Sequence, residues 1–165
     1  MSVVIETITE AHIEGFYRAL DAVSRERKYL AFLEAPPLTK VREFVMNNIS
    51  RGFPQFVCMA KGDVIGWCDI IPHERPIHAH CGVLGIGLLP QFRGAGHGSS
   101  LMAATLNAAE RRGLKRIELT VHASNLHAVA LYEKCGFQRE GVMRDAICID
   151  GRYEDCIMMA YLMGK

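Results

Sequence analysis

A glycine-rich stretch that joins an apolar run to an alanine-rich segment is the feature that most constrains the fold of this chain. The run HCGVLGIGLLP predicts a central β-strand, and the segment HGSSLMAATLNAAERRG predicts a helix that ends at Gly113. At their junction the stretch QFRGAGHGSS has three glycines in five positions, more than a plain tight turn needs. A strand, a glycine turn and a helix in this order direct unpaired N–H groups at an anion. The stretch therefore predicts a phosphate-binding turn.

Two common nucleotide-binding patterns do not match this stretch. A P-loop requires GxxxxGK[ST], and the chain has no Gly-Lys-Ser/Thr after a strand. A dinucleotide fingerprint requires GxGxxG, but GAGHGS at 94–99 and GIGLLP at 85–90 both lack the last glycine. The predicted anion is therefore not expected to belong to ATP or NAD.

Composition favours one domain over residues 1–165. Of the 165 residues 50% are hydrophobic and 22% are charged, which is enough for one well-packed hydrophobic core but not for two. A formal net charge of +1 favours neither nucleic acid nor an anionic membrane as a partner. The N-terminus MSVVIETITE has no signal-peptide pattern, and no run reaches the roughly 20 apolar residues of a membrane span. We expect a soluble, cytoplasmic protein.

The cysteines are well separated and form no CxxC pair. Most lie in apolar runs, which favours reduced, buried thiols over a disulfide framework or a zinc site. His78 and His80 alternate as two metal ligands would, but no third ligand accompanies them, so we expect no metal. The six cysteines are Cys58, Cys68, Cys81, Cys135, Cys148 and Cys156.

The first half of the chain predicts a strand, two helices and a hairpin. VVIETIT (3–9) has strand character, and residues 10–30 carry apolar residues at helical spacing, weakened by Gly15. The prolines of EAPPL interrupt the pattern before a second helix, LTKVREFVMNNIS, for which Thr39 is a candidate N-cap. QFVCMAKGDVIGWCDIIP then predicts two strands that turn at 61–63.

The second half predicts the remaining strands and helices. After the glycine stretch and its helix, LKRIELTVHAS predicts a strand, and NLHAVALYEKCG predicts a short helix capped by Asn125 and ended by Gly136. The last segment predicts a hairpin that turns at Asp150 and Gly151. No repeat, low-complexity tract or linker is visible, so the fold class is α/β with a mixed sheet.

Two blocks of this sequence resemble the GNAT superfamily of acyl-CoA-dependent N-acetyltransferases. The stretch LPQFRGAGHGSSL is similar to the family's Arg/Gln-x-x-Gly-x-Gly/Ala loop, and NLHAVALYEKCGF is similar to its Asn-x-x-Ala-x-x-x-Tyr-x-x-x-Gly-Phe segment. The order of elements also agrees, which implies a mostly antiparallel sheet of about seven strands with about four helices. The matching residues are Arg93, Gly96, Gly98, Asn125, Ala128, Tyr132, Gly136 and Phe137.

The resemblance implies acetyl-CoA as the co-substrate and assigns residues to it. The strand end before the loop would pair its backbone with the pantetheine arm, and the N–H groups of the loop would take the pyrophosphate. Asn125 would contact the pantetheine arm, and Tyr132 would lie near the sulfur. The strand and loop residues are Ile86, Gly87, Leu88, Arg93, Gly94, Ala95, Gly96, His97, Gly98 and Ser99.

Attack of an amine on a thioester requires an acid for the leaving thiolate, a donor for the oxyanion and a base. Tyr132 is the candidate acid, although a tyrosine that only packs the helix on the core is an alternative. By family analogy the Ile86 N–H is the oxyanion donor. For the base we consider His80 first, then Asp69 in GWCDIIP, as base or ammonium ligand, and then a water chain without a single base.

One subfamily of similar enzymes, the ribosomal-protein N-terminal acetyltransferases, has a glutamate where this chain has Thr120, which argues against a close copy of that subfamily. His122 is interpreted as a polar residue at a strand end. The expected acceptor is a small-molecule amine, such as an amino acid, or a peptide N-terminus. A non-catalytic acyl-CoA-binding module is the alternative, and the apolar last strand CIMMAYLM offers an edge that a homodimer could cover.

Overall fold

The elements of the protein follow the order that the sequence predicts. The computed structural model describes residues 2–165. Short 3-10 turns at 10–12, 76–78 and 90–92 precede α1, β4 and α3. The helices and strands are β1 (Val3–Thr7), α1 (Ile13–Ser24), α2 (Leu38–Arg51), β2 (Gln55–Ala60), β3 (Asp63–Pro72), β4 (Cys81–Leu88), α3 (His97–Arg111), β5 (Arg116–His122), α4 (Leu126–Lys134), β6 (Gln138–Ile149) and β7 (Arg152–Leu162).

All strands belong to one seven-stranded sheet in the order β1-β2-β3-β4-β5-β7-β6. Every neighbouring pair is antiparallel except β4 and β5, so the predicted mixed sheet is confirmed. The parallel pair is short, because Cys81–Val83 pairs with Arg116–Glu118 and no pairing follows. β4 and β5 therefore diverge beyond Val83, and the sheet opens between them.

Apolar side chains cover the sheet on both faces. On one face α1 and α2 pack through Phe16 and Val45 against Trp67, and the rings of Phe16 and Trp67 meet edge to face at 5.5 Å. On the other face α3 packs through Leu101 and Met102 on the sheet. Full burial of each large apolar side chain stabilises the fold by roughly 1.5–3 kcal/mol. The core on the α3 face includes Leu84 of β4 and Leu119 of β5, so it packs against both strands that border the opening.

Two local predictions in the first half are wrong. The first helix ends at Ser24 rather than near residue 30, because Arg27 has a left-handed φ of 58° that a helix cannot continue through. The second helix begins at Leu38, directly after its N-cap Pro37, so Thr39 lies inside the helix and does not cap it. The result is a loop over 25–37 between α1 and α2.

The last strand is not an edge of the sheet. β7 lies between β5 and β6 and pairs with both, so the prediction that CIMMAYLM offers an open edge is wrong. After α4 the chain first forms β6 at the edge of the sheet. The hairpin turn at 150–151 then places β7 between β6 and β5. The argument for a homodimer through this strand does not hold.

The cysteines are unpaired, as predicted, but not all are buried. Cys148 is exposed on β6 and Cys135 is half-buried, while the other four are buried. Across residues 2–165 no helix combines the length and apolar character needed to cross a membrane.

Candidate active site

The edge of β4 that faces β5 is unpaired beyond Val83. In an antiparallel pair the N–H and C=O of one residue point to one side, and those of the next residue to the other. The Leu89 N–H donates to the Ile65 carbonyl at 2.8 Å, and the Cys81 carbonyl accepts from the His73 N–H at 3.0 Å. Odd-numbered residues of this segment therefore bond to β3, and even-numbered residues direct their backbone groups into the opening.

The end of β4 thus presents free backbone groups at two of its last three residues. Ile86 directs both its N–H and its C=O into the opening. Leu88 directs its N–H there, while its C=O accepts the Arg93 Nε–H at 2.9 Å. Gly87 bonds to β3 instead, and a Cβ on it would lie 2.2 Å from the Trp67 ring. Ile86 and Leu88 supply the backbone groups, and Gly87 leaves room for Trp67.

The glycine-rich loop requires its glycines for two different reasons. Gly94 and Gly96 have φ values of 78° and 87°, which L-residues rarely adopt. A Cβ on Gly98 would lie 3.1 Å from Cδ2 of Leu131, which is tighter than normal packing. The Ser100 N–H donates to the Gly96 carbonyl at 3.2 Å, so the N–H groups earlier in α3 have no partner within the helix. The loop and the first turn of α3 form a cradle for an anion.

One cavity of about 660 Å³ lies between this edge, the loop and α4. Val23 and Tyr29, from α1 and the loop after it, also line the cavity, as does Thr120 on β5. Ala95 and His97 belong to the glycine-rich loop but do not line the cavity. The predicted residues that line it are Ile86, Gly87, Leu88, Arg93, Gly94, Gly96, Gly98, Ser99, Asn125 and Tyr132.

Asn125 begins α4 at the side of the cavity opposite β4. Its Oδ1 accepts the Ala128 N–H at 3.2 Å, as the predicted N-cap requires. This hydrogen bond fixes the side chain, and the amide NH₂ has no partner among the described residues. The cap therefore leaves a donor beside the cavity.

Tyr132 lies in the last turn of α4 and is buried at the cavity wall. Its ring packs against Phe137 at 5.9 Å, while its hydroxyl makes no hydrogen bond within residues 2–165. Burial, with a smaller effect from the nearby thiols of Cys68 and Cys135, raises the pKa of the phenol above its usual value. Tyr132 therefore remains a neutral phenol that can donate a proton.

The structure separates the two residues predicted as the base. His80 precedes β4, and its carbonyl accepts N–H groups of Lys115 and Arg116, so it lies at the paired end of β4 and β5. Ile86 is six residues farther, about 20 Å along a strand, so His80 is remote from the opening. Asp69 lies on β3 opposite Gly85, the residue before Ile86, so it is next to the opening although it does not line the cavity.

Sequence reasoning missed the contacts that Arg93 makes. Its guanidinium forms two hydrogen bonds to Glu26, at 3.0 and 2.6 Å, and stacks on the Tyr29 ring at 4.9 Å. Arg27, which follows Glu26 in the loop between α1 and α2, donates a hydrogen bond to the Asp150 carboxylate in the β6–β7 turn at 2.7 Å. The 25–37 loop is thereby tied to both sides of the opening. No local pattern signals these pairs, because 67 and 123 residues separate their members.

An acyl-CoA offers a pyrophosphate, an extended arm with amide groups and a thioester. The cradle at the start of α3 can bind the pyrophosphate. The free edge of β4 can bind the extended arm, because amides pair with a strand edge as another strand would. Tyr132 can donate a proton to the sulfur of the thioester. Residues 2–165 contain no group of three or more His, Cys, Asp or Glu side chains that could hold a metal ion. Fold and cavity together define the class of acyl-CoA-dependent acyltransferases.

Comparison with known proteins identifies the family. The Acetyltransferase (GNAT) family matches residues 12–137, and the chain belongs to this family. The chain is an acetyl-CoA-dependent N-acetyltransferase, and acetyl-CoA is its co-substrate.

Individual relatives agree with this assignment. The chain is 33% identical over 110 residues to the L-amino acid N-acetyltransferase AaaT of Escherichia coli, a match that covers 66% of this chain and 68% of AaaT. It is 37% identical over 79 residues to the E. coli [ribosomal protein bS18]-alanine N-acetyltransferase, covering 47% of this chain and 53% of that enzyme. Only about a quarter of the length of several mycothiol acetyltransferases is matched.

A solved structure shares the fold over the whole length. The phosphinothricin acetyltransferase of Sinorhizobium meliloti, in complex with acetyl-CoA, superposes with a TM-score of 0.92 at 19% identity. The superposition covers 99% of this chain and 90% of that one. At this identity the likeness describes the fold.

Proposed function

We propose that this enzyme transfers the acetyl group of acetyl-CoA to the α-amino group of a free amino acid. The observation that carries the choice of a small acceptor is the 25–37 loop, which Glu26 ties to the cofactor loop and Arg27 ties to the β6–β7 turn. Both contacts lie at the start of the loop, which is thereby held across the acceptor side of the opening. A loop in that position leaves room for a small molecule more readily than for a folded protein. The name of AaaT, an L-amino acid N-acetyltransferase, supports the same acceptor class.

The cofactor is proposed to lie along the edge of β4. The cradle of the glycine loop binds the pyrophosphate, and the pantetheine arm pairs with Ile86 and Leu88 and contacts Asn125. The thioester oxygen then lies at the Ile86 N–H, which stabilises the oxyanion, an effect typically worth about 10²–10³ in rate. Tyr132 protonates the leaving thiolate.

The test is release of free CoA thiol from acetyl-CoA by the purified protein, measured against a panel of amino acids, polyamines, aminoglycosides and short peptides. Amino acids are expected to be turned over best. Faster turnover of peptides or polyamines would contradict the acceptor class. In a thermal-shift assay acetyl-CoA is expected to stabilise the protein, since a ligand at 100 times its Kd stabilises by about 2.7 kcal/mol. Stabilisation by ATP or NAD but not by CoA would contradict the cofactor site.

The ion pair between Glu26 and Arg93 is expected to keep the glycine-rich loop in the conformation that binds acetyl-CoA. Changing Glu26 to Gln removes a half-buried, bidentate ion pair worth about 1 kcal/mol, so the Kd for acetyl-CoA should rise about fivefold. Isothermal titration calorimetry measures this change. The matched control is Glu34→Gln on the same loop, because Glu34 makes a single exposed contact to Arg25 at 3.3 Å. Equal effects of both substitutions would show that the bidentate pair has no special role.

A further inference from the structure

Asp69 lies on the acceptor face of the sheet, beside the opening. On β3 it pairs with Gln55 of β2 and Gly85 of β4. Its Oδ1 is 3.4 Å from the position that a Cβ on Gly85 would occupy. Alternate residues of a strand share one face of the sheet, so Asp69 lies on the same face as Trp67, which packs with α1 and α2. The carboxyl group therefore covers the backbone of Gly85, where no side chain screens it.

The carboxyl group is buried without a partner. Asp69 is 8% exposed, and no described residue donates a hydrogen bond to its side chain. Burial raises the pKa of Asp69 to about 7, and no charged neighbour contributes. An unpaired buried carboxyl destabilises a fold, and such groups concentrate at functional sites.

Gln55, the neighbour of Asp69 on β2, also has an unused donor. The Asn48 Nδ2 donates to the Gln55 Oε1 at 2.9 Å, and this bond fixes the Gln55 amide. The Gln55 Nε2 is buried and has no hydrogen-bond partner. Gln55 therefore leaves an unused N–H donor on the same face of the sheet as Asp69.

The position of Asp69 matches the proposed reaction geometry. The peptide that follows Gly85 carries the Ile86 N–H, which points into the opening in the plane of the sheet. Asp69 covers the same peptide from the acceptor face. An amine that attacks a thioester whose oxygen lies at the Ile86 N–H approaches from that face. Because the carboxyl lies beside the cavity without lining it, one water would connect the amine to the carboxyl.

One other titratable side chain faces the opening from β5. His122 is the last residue of β5, the strand that borders the opening on the side away from β4. The His122 Nδ1 is buried without a hydrogen bond, 3.7 Å from a carboxylate oxygen of Glu154. The other Glu154 oxygen accepts the Ser124 N–H at 2.7 Å. His122 is the alternative proton acceptor that an experiment must separate from Asp69.

We propose that Asp69 is the catalytic residue that accepts the proton of the acceptor amine, an assignment that rests on the proposed function. The ammonium R–NH₃⁺ gives one proton to the carboxylate and becomes R–NH₂. Its lone pair forms the C–N bond, and the carbonyl electrons move to the oxygen at the Ile86 N–H. Collapse re-forms C=O and breaks the C–S bond. The thiolate takes the Tyr132 proton, the nitrogen's second proton restores the phenol, and Asp69 releases its proton to solvent.

The test compares kcat and KM of Asp69→Asn and His122→Asn with the wild type between about pH 6 and pH 9. Asp69→Asn is expected to lower kcat about 10²-fold or more near pH 7, with the Kd for acetyl-CoA unchanged. The deficit should shrink as the pH rises, because more of the amine is then already neutral. Asp63→Asn, the same change at the exposed start of β3, is the control and should retain wild-type kinetics.

An Asp69→Asn enzyme with nearly wild-type kcat would overturn the assignment, and so would a pH-dependent loss of kcat in His122→Asn alone. A pH-independent deficit in Asp69→Asn would also contradict it, since that result indicates a structural role. The comparison uses whichever amine of the panel the wild type turns over best. Failure of amino acids as acceptors would therefore contradict the proposed function, and normal turnover by Asp69→Asn would contradict this assignment alone.

Discussion

Replacing Tyr132 with phenylalanine is expected to lower kcat about 10²-fold and to leave the Kd for acetyl-CoA within about twofold. The substitution removes only the hydroxyl, which makes no hydrogen bond within residues 2–165, and keeps the ring that packs against Phe137. Folding should therefore be unaffected. Because burial raises the pKa of the phenol, the hydroxyl remains protonated throughout the working pH range, and its loss removes the proton source for the thiolate.

Steady-state kinetics with acetyl-CoA and the best acceptor, combined with calorimetric titration of acetyl-CoA, measure this effect. Tyr161→Phe is the matched control, because Tyr161 packs against the same Phe137 ring at 5.7 Å but does not line the cavity. The control should retain wild-type kcat. If Tyr132→Phe also retained it, Tyr132 would be a packing residue only, and the proton would have to reach the sulfur from water.

The parts of the fold that depend on neighbouring residues could be predicted from the sequence. The hairpin turns at 61–62 and 150–151 form where Lys61 and Asp150 adopt left-handed φ values beside glycines. The cap of α4 depends on Asn125 and a backbone N–H three residues away. The strand order was not accessible in this way, because the insertion of β7 between β5 and β6 depends on long-range pairing that no local pattern encodes.

In the candidate site, too, the residues in contiguous sequence patterns could be predicted, and those that depend on long-range pairing could not. The glycine loop and Tyr132 belong to contiguous patterns, and the structure brings both to one cavity. His80 was the first candidate for the base, and on a regular strand it shares a face with Ile86. Alternation fixes the face of a strand, but which end of β4 opens depends on where β5 pairs with it. The pairing lies at the His80 end, so the distance of His80 from the cavity could not be read from β4 alone.

The Asp69→Asn variant is expected to be more stable than the wild type, by about 4 kcal/mol at pH 8. Burial raises the pKa of Asp69 to about 7 in the folded protein, while in the unfolded chain it keeps its ordinary value near 3.8. Between these two pH values the folded state binds more protons than the unfolded state, so wild-type stability falls as the pH rises. Asparagine has no charge to bury and avoids this loss. For a chain of this size the gain corresponds to roughly 8–16 °C in Tm.

Urea denaturation of both proteins between about pH 4 and pH 8 measures the difference in the free energy of unfolding. The other carboxyl groups titrate alike in both proteins, so the difference isolates Asp69. It should be close to zero near pH 4, grow through the window up to about pH 7 and then level off. A difference that did not vary with pH, or a variant less stable than the wild type at pH 8, would show that Asp69 is not buried as an unpaired carboxyl. A variant that is more stable yet much slower would indicate that the carboxyl is retained for catalysis at the expense of stability, as strained functional groups commonly are.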